Sequence, residues 1–138
     1  MTDVVVDASV AVKWVIEEPD SLLAAQLLDG RQLLAPDLLW AECGSVLWTK
    51  VRRGLLAAQD AELACRVLRS ADLRITPSEA LVEKALSLAL RLEHSVYDCL
   101  YLALALETDR PLVTADGRFA ERVEASGIAP GRVHPLGG

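Results

Sequence analysis

The run Val4-Val5-Val6 stops abruptly at Asp7-Ala8-Ser9, and no other stretch restricts the fold as much. Three β-branched residues in a row favour the pleated backbone. A run without polar alternation suits a strand covered on both faces, as in a parallel sheet. Asp7 then stands at the carboxyl end of the first strand. Ligands of open α/β sheets bind along that edge, so the question becomes what other chemistry the chain carries there.

The remainder alternates helical and strand-like segments. Apolar residues at 10, 12, 14, 15 and 16 predict a short helix over Ser9 to Glu17, ended by Pro19. Asp20 is placed to cap a helix from Ser21 to Asp29, with Gly30 as its left-handed stop. Gln32 to Ala35 reads as a second strand. Pro36 suits the first position of a long helix to Arg53, closed by Gly54, and a further helix covers 57–70. Leu73-Arg74-Ile75 is a third strand, after which Thr76-Pro77-Ser78-Glu79 predicts a capping box and a helix to Leu92. Ser95-Val96-Tyr97-Asp98 repeats that logic for a helix to Thr108, apolar on nearly every side and therefore expected to be buried. Leu112-Val113-Thr114 is a fourth strand, Asp116 caps a helix to Ala125 that Gly127 stops, and Val133 lies in a last short strand. Strands alternating with helices imply an α/β fold with a parallel sheet and helices on both faces. No linker or repeat interrupts it, so residues 1–138 read as one domain.

At 138 residues and 52% hydrophobic, the chain is large enough to bury roughly two thirds of its unfolded surface without help from disulfides. Cys43, Cys65 and Cys99 are odd in number, form no Cys-x-x-Cys and lie in apolar helical patterns, which disfavours zinc and suits a reducing compartment. The longest fully apolar run, Cys99 to Leu106, falls far short of the ~20 residues a membrane span needs. Met1-Thr2-Asp3 carries no basic leader region, so a cytoplasmic protein with no membrane association is expected. A net charge of −6 argues against indiscriminate nucleic-acid binding. Acids gathered to hold a cation would inflate that total while leaving the surface around them near neutral.

Four acids stand apart by context: Asp7, Glu42, Asp98 and Asp116. Each also has an ordinary structural role open to it. Asp7 and Asp116 can cap the helices that follow them, Glu42 can belong to a solvated line with Ser45, Thr49 and Arg52/Arg53, and Asp98 can complete a capping box with Ser95. A carboxylate can cap a helix and still face a ligand. Two of the four follow strands and two lie near helix starts, and in a parallel sheet both kinds of end point to one edge. Four acids at one edge repel one another, and a hard divalent cation, Mg²⁺ or Mn²⁺, is the ordinary remedy. Such an ion lowers the pKa of a water and offsets charge on a phosphodiester leaving group, so no histidine is needed as base. His94 and His134 accordingly read as loop and terminal residues. Ser9 and Thr114 are small hydroxyls beside the two strand-end acids, placed to support them. Lys13, Lys50, Arg52, Arg53 and Arg118 are the candidate phosphate contacts. Trp40 and Trp48 are predicted to share one helix face, for the core or for a partner.

The blocks carrying these acids are Val5-Val6-Asp7-Ala8-Ser9, Pro36 to Glu42, Tyr97-Asp98-Cys99-Leu100-Tyr101-Leu102-Ala103, and Leu112-Val113-Thr114-Ala115-Asp116-Gly117-Arg118-Phe119. Together they resemble the four acidic blocks of the PIN domain, and in length and order the VapC-type toxins of toxin–antitoxin pairs. The resemblance implies a three-layer α/β/α domain with strand order 3-2-1-4-5, so that Asp7 and Asp116 flank the topological switch point. It implies a Mg²⁺- or Mn²⁺-dependent endoribonuclease that leaves 5′-phosphate and 3′-hydroxyl ends, forms a homodimer and is silenced by a small antitoxin. By position it makes Asp7, Glu42, Asp98 and Asp116 the metal-site acids. Gly117-Arg118 stands where many relatives carry another acid, which bears against a second metal. Two other readings remain: a receiver-like acidic Mg²⁺-binding signalling domain, which would need a Lys after the late strand, and a catalytically silent PIN-fold binding module.

Overall fold

Five short parallel strands form the sheet of the computed structural model, which describes residues 2–137. They are β1 (Val4–Val6), β2 (Leu33–Pro36), β3 (Leu73–Thr76), β4 (Leu112–Thr114) and β5 (Val133–Pro135). Their order is β3-β2-β1-β4-β5, all neighbours parallel, as the resemblance implied. Seven α-helices connect or follow them: α1 (Ala8–Ala11), α2 (Ser21–Ala25), α3 (Leu38–Arg52), α4 (Ala58–Arg69), α5 (Val82–Leu92), α6 (Val96–Thr108) and α7 (Gly117–Ser126).

Successive side chains of a strand point to opposite faces, and here both faces are covered. Val5, Leu34 and Leu112 pack with α5, α6 and α7. Val4, Val6, Leu33 and Val113 pack on the other side with Val10, Ala24 and Leu27 of the α1–α2 region. Each such aliphatic side chain contributes roughly 1.5–3 kcal/mol on burial. The arrangement is the three-layer α/β/α fold. α6 is its buried helix, with every residue from Cys99 to Ala105 out of solvent, as its all-round apolar sequence required. The α3–α4 pair carries a satellite core of Val12, Leu47 and Ala64.

Several boundaries differ from expectation. The first helix is α-helical only to Ala11 and tightens to a 3₁₀ turn over Val12–Trp14, well before Pro19. α2 ends at Ala25, so Gly30 (φ +100°) turns a loop and stops no helix, while Asp20 sits at the N-cap in the left-handed region without capping. Pro36 closes β2, where the last strand position has no need of its missing N–H. Thr76 likewise ends β3. The predicted Thr76 capping box is absent because Thr76 pairs with Pro36 as the last residue of β3, and the 3₁₀ turn that precedes α5 starts only at Ser78. The Ser78 hydroxyl accepts from Leu38 N (3.3 Å) and donates to Asp37 Oδ1 (2.5 Å), which also takes the Ser78 N–H. One serine thereby ties the starts of two crossovers together.

Candidate active site

Register places the first acid. Val6 pairs with Val113 across β1 and β4, so Asp7 and Thr114 emerge side by side at the carboxyl edge. Asp7 caps α1 through Val10 N (3.3 Å), yet most of its hydrogen bonding is with side chains. Ser9 Oγ donates to Oδ1 and Thr114 Oγ1 to Oδ2, both at 2.5 Å. The backbone N–H groups of Ala115 and Asp116 donate in turn to Ser9 Oγ (2.9 Å) and Thr114 Oγ1 (3.0 Å). Ser9 and Thr114 therefore fix the Asp7 carboxylate and fasten the β4–α7 loop to it. Thr114 is fully buried and Asp7 nearly so. Burial, with a smaller contribution from the Asp98 charge, outweighs these hydrogen bonds and pushes the Asp7 carboxyl up to about 6.

Glu42 comes from the second turn of α3 and is half-buried. Its Oε1 accepts from the hydroxyl of Tyr101 on α6 (2.6 Å). Burial raises its carboxyl above the ordinary range, again helped by Asp98. Tyr101 is 1% exposed and its phenol is driven strongly upward, first by burial and then by Glu42, so it remains a donor at any working pH. Tyr101→Phe is expected to destabilise the fold by about 2 kcal/mol, the worth of a hydrogen bond to a charged group, and to lower RNA cleavage. Denaturant unfolding and initial rates would check it.

Asp98 lies in the first turn of α6. The predicted capping box is half formed: Asp98 N donates to Ser95 Oγ (3.3 Å), but the Asp98 carboxylate turns away to His94, with Oδ2 2.5 Å from Nε2. His94 is thus a neighbour of the site and not a free loop residue. His134 Nε2 meets the Gly131 carbonyl, away from the four acids' cleft. Asp116 caps α7 through Phe119 N (3.1 Å) and still lines the cleft.

All four acids line one cleft of about 430 Å³, together with Ser9, Ser45, Thr49, Lys50 and Arg53. Of the candidate cations, Lys50 and Arg53 reach this cleft and the others do not line it. Lys13 is held by Glu18 and the Pro19 carbonyl, Arg52 lies over the Trp48 ring, and Arg118 is exposed beyond Asp116. Lys50 itself pairs with Glu18 at 2.6 Å. The two tryptophans part company: Trp40 packs against the main core, whereas Trp48 is 60% exposed.

The donor set suits a hard divalent cation. Glu42 Oε2, Asp98 Oδ1 and Asp116 Oδ2 accept no hydrogen bond from the described residues, and the Asp98 charge, which adds to the upward shift that burial gives Asp7 and Glu42, is what a cation would offset. As the side chains stand they ring the cleft without closing on a point. Among the described residues no three His, Cys, Asp or Glu groups are gathered tightly enough to hold an ion.

The PIN domain sequence pattern matches residues 4–124. Ribonuclease VapC3 of Pyrobaculum aerophilum is 32% identical over 124 residues, spanning 88% of this chain and 95% of that protein. The chain belongs to the VapC ribonucleases of the PIN-domain family. PIN-domain VapC ribonucleases depend on divalent metal ions as a family. Two solved structures share the PIN fold at low identity. The P. aerophilum protein PAE2754 superposes with a TM-score of 0.74 at 18% identity, covering 99% of this chain and 85% of its own. A toxin–antitoxin complex from Klebsiella pneumoniae gives 0.59 at 15%, covering 95% of each. Membership of this PIN family leaves the receiver-like alternative without support.

Sequence reasoning missed Tyr101 and the role of His94. The Tyr101 hydroxyl was hidden by its place in an apolar helix. His94 stands four residues before Asp98, a spacing that puts side chains together once a helix follows.

Proposed function

We propose that this chain, as a single PIN-like domain, is an endoribonuclease using Mg²⁺ or Mn²⁺, the toxin partner of a small antitoxin. The observation carrying this reading is that Asp7, Glu42, Asp98 and Asp116, from four different elements, line one cleft with Lys50 and Arg53 beside them. The four carboxylates would hold the cation. When bound, it supplies charge compensation on the phosphodiester and acidifies a water for in-line attack. Ser9 and Thr114 orient Asp7, Tyr101 orients Glu42, and Arg53 and Lys50 engage flanking phosphates. The products are a 5′-phosphate and a 3′-hydroxyl. Free Cys43, Cys65 and Cys99 fit a cytoplasmic site of action.

The exposed Trp48, and the line of Val82, Leu86 and Leu90 left in solvent along α5, provide apolar surface for the antitoxin and for a homodimer mate. Purified protein freed of antitoxin is expected to cleave single-stranded RNA with Mg²⁺ or Mn²⁺, to stop in EDTA, and to lose activity by about 10³-fold in Asp98→Asn, as removal of several kcal/mol of charge stabilisation requires. Cleavage that survives both treatments would sink the metal mechanism. A folded protein that binds RNA but never cuts it would favour the silent module.

A further inference from the structure

Asp98 and Asp116 reach the cleft from different helices, and a chain of contacts outside the cleft joins them. Asp116 Oδ1 accepts from Phe119 N (3.1 Å). The Phe119 ring, 1% exposed, packs against the His94 ring with centroids 4.7 Å apart. His94 Nε2 meets Asp98 Oδ2 at 2.5 Å, and because a carboxylate only accepts, Nε2 is the donor. The turn that presents His94 is pinned from the same helix: Arg122 of α7 donates to the carbonyls of Leu92 and Glu93, each at 3.2 Å. Glu93 is held there at φ +52°, a left-handed conformation that a side chain other than glycine adopts only when its surroundings fix it.

We propose that His94 is a positioning residue that sets the rotamer of Asp98 and, through Phe119, its separation from Asp116, so that the two acids present their free oxygens to one cation. This rests on the metal-site reading above. His94 touches neither substrate nor cation; it acts through Asp98, in the way a hydrogen-bonded outer partner holds a ligating group. The aromatic contact fixes the imidazole plane and the hydrogen bond fixes the carboxylate. The hydrogen bond carries the larger share of the orienting effect, and the ring contact holds the imidazole in line for it.

The test separates the two contacts. His94→Phe keeps a ring on Phe119 and removes the donor, whereas His94→Gln keeps a donor near the Nε2 position. Mn²⁺ binding to the metal-free protein is measured by calorimetry, with thermal unfolding of each apo variant as the folding control. His94→Phe is expected to weaken Mn²⁺ binding about 10-fold or more, in the range found for lost outer partners, while His94→Gln stays within roughly threefold of the unsubstituted protein. The Mn²⁺ concentration for half-maximal RNA cleavage should rise in parallel for His94→Phe, with the rate at saturating Mn²⁺ less affected. Mn²⁺ binding lost in Asp98→Asn but unchanged in folded His94→Phe would overturn the positioning role and leave the metal site standing. Equal weakening by Gln and Phe would also overturn it. No Mn²⁺ binding by the unsubstituted protein would overturn both.

Discussion

Asp7→Asn is expected to abolish RNA cleavage and at the same time to make the metal-free protein more stable. The carboxyl is raised from 3.8 to about 6 by burial among Val6, Ala8 and Thr114. The folded state therefore binds a proton more tightly than the unfolded chain does. Between those two values the folded state holds more protons, so stability falls as pH rises through the window. Below it the group contributes nothing, and above about pH 6 the cost is complete. At about 1.4 kcal/mol per pKa unit the ionised carboxylate costs the apo fold about 3 kcal/mol. Asparagine removes the charge and keeps the shape. One of its two polar atoms becomes a donor, so either Ser9 or Thr114 must turn its hydroxyl, which returns part of the gain. A net gain of about 2 kcal/mol corresponds to roughly 6 °C in a chain of this length. Scans in EDTA at pH 7.5 and at pH 4 would check it: the difference between variant and parent should be large at the first and nearly vanish at the second. Added Mn²⁺ should raise the melting temperature of the parent and leave Asp7→Asn almost unmoved. A variant less stable than the parent at pH 7.5 would mean that the hydrogen bonds to the charge outweigh its burial.

That trade between stability and activity also explains how much of the site could be read in advance. Strand ends were legible because Val4-Val5-Val6 and Leu112-Val113-Thr114 have no other comfortable conformation, and each is followed at once by polar residues that must face the sheet edge. Asp7 and Asp116 came with them. Glu42 and Asp98 stand out by context too, near helix starts that face the same sheet edge, and the resemblance adds their shared role. Local signals failed where long-range partners took over. Pro36 and Thr76 look like helix starts, but β2 and β3 pair across both of them, and Ser78 opens a 3₁₀ turn while its hydroxyl caps α3. Asp20 and Gly30 carry good cap chemistry around a helix that stops after Ala25. His94 reads as a loop residue because a metal-activated water needs no histidine base. Its place beside the site depends on an acid one turn along and an aromatic ring from α7, and no local pattern announces the second. The cations were read least well. Five were plausible in sequence, and only a three-dimensional cleft separates Lys50 and Arg53 from Lys13, Arg52 and Arg118.

Thr114→Val is expected to damage the site heavily while leaving every acid in place. The side chain is fully buried, and valine matches its volume, so packing is unchanged and the effect isolates one hydroxyl. That hydroxyl donates to Asp7 Oδ2 and accepts from Asp116 N, standing between the two strand-end acids. Its loss strips a buried charge of one donor and leaves a backbone N–H unpaired. Each defect costs about 1–3 kcal/mol. A combined loss of roughly 3 kcal/mol lowers the melting temperature by about 10 °C in a chain of this size. Thr114→Ser restores the hydroxyl and should recover most of the loss, short of the methyl contact. The Asp7 background discriminates further. In Asp7→Asn there is no charge for Thr114 to serve, so adding Thr114→Val there should cost clearly less than it does in the parent, a coupling readable from a double-mutant cycle in EDTA. Additive effects would place the cost in the unpaired Asp116 N–H and not in the Asp7 charge. Non-additivity would locate it in the hydrogen bonds that let this sheet edge hold a carboxylate it would otherwise protonate.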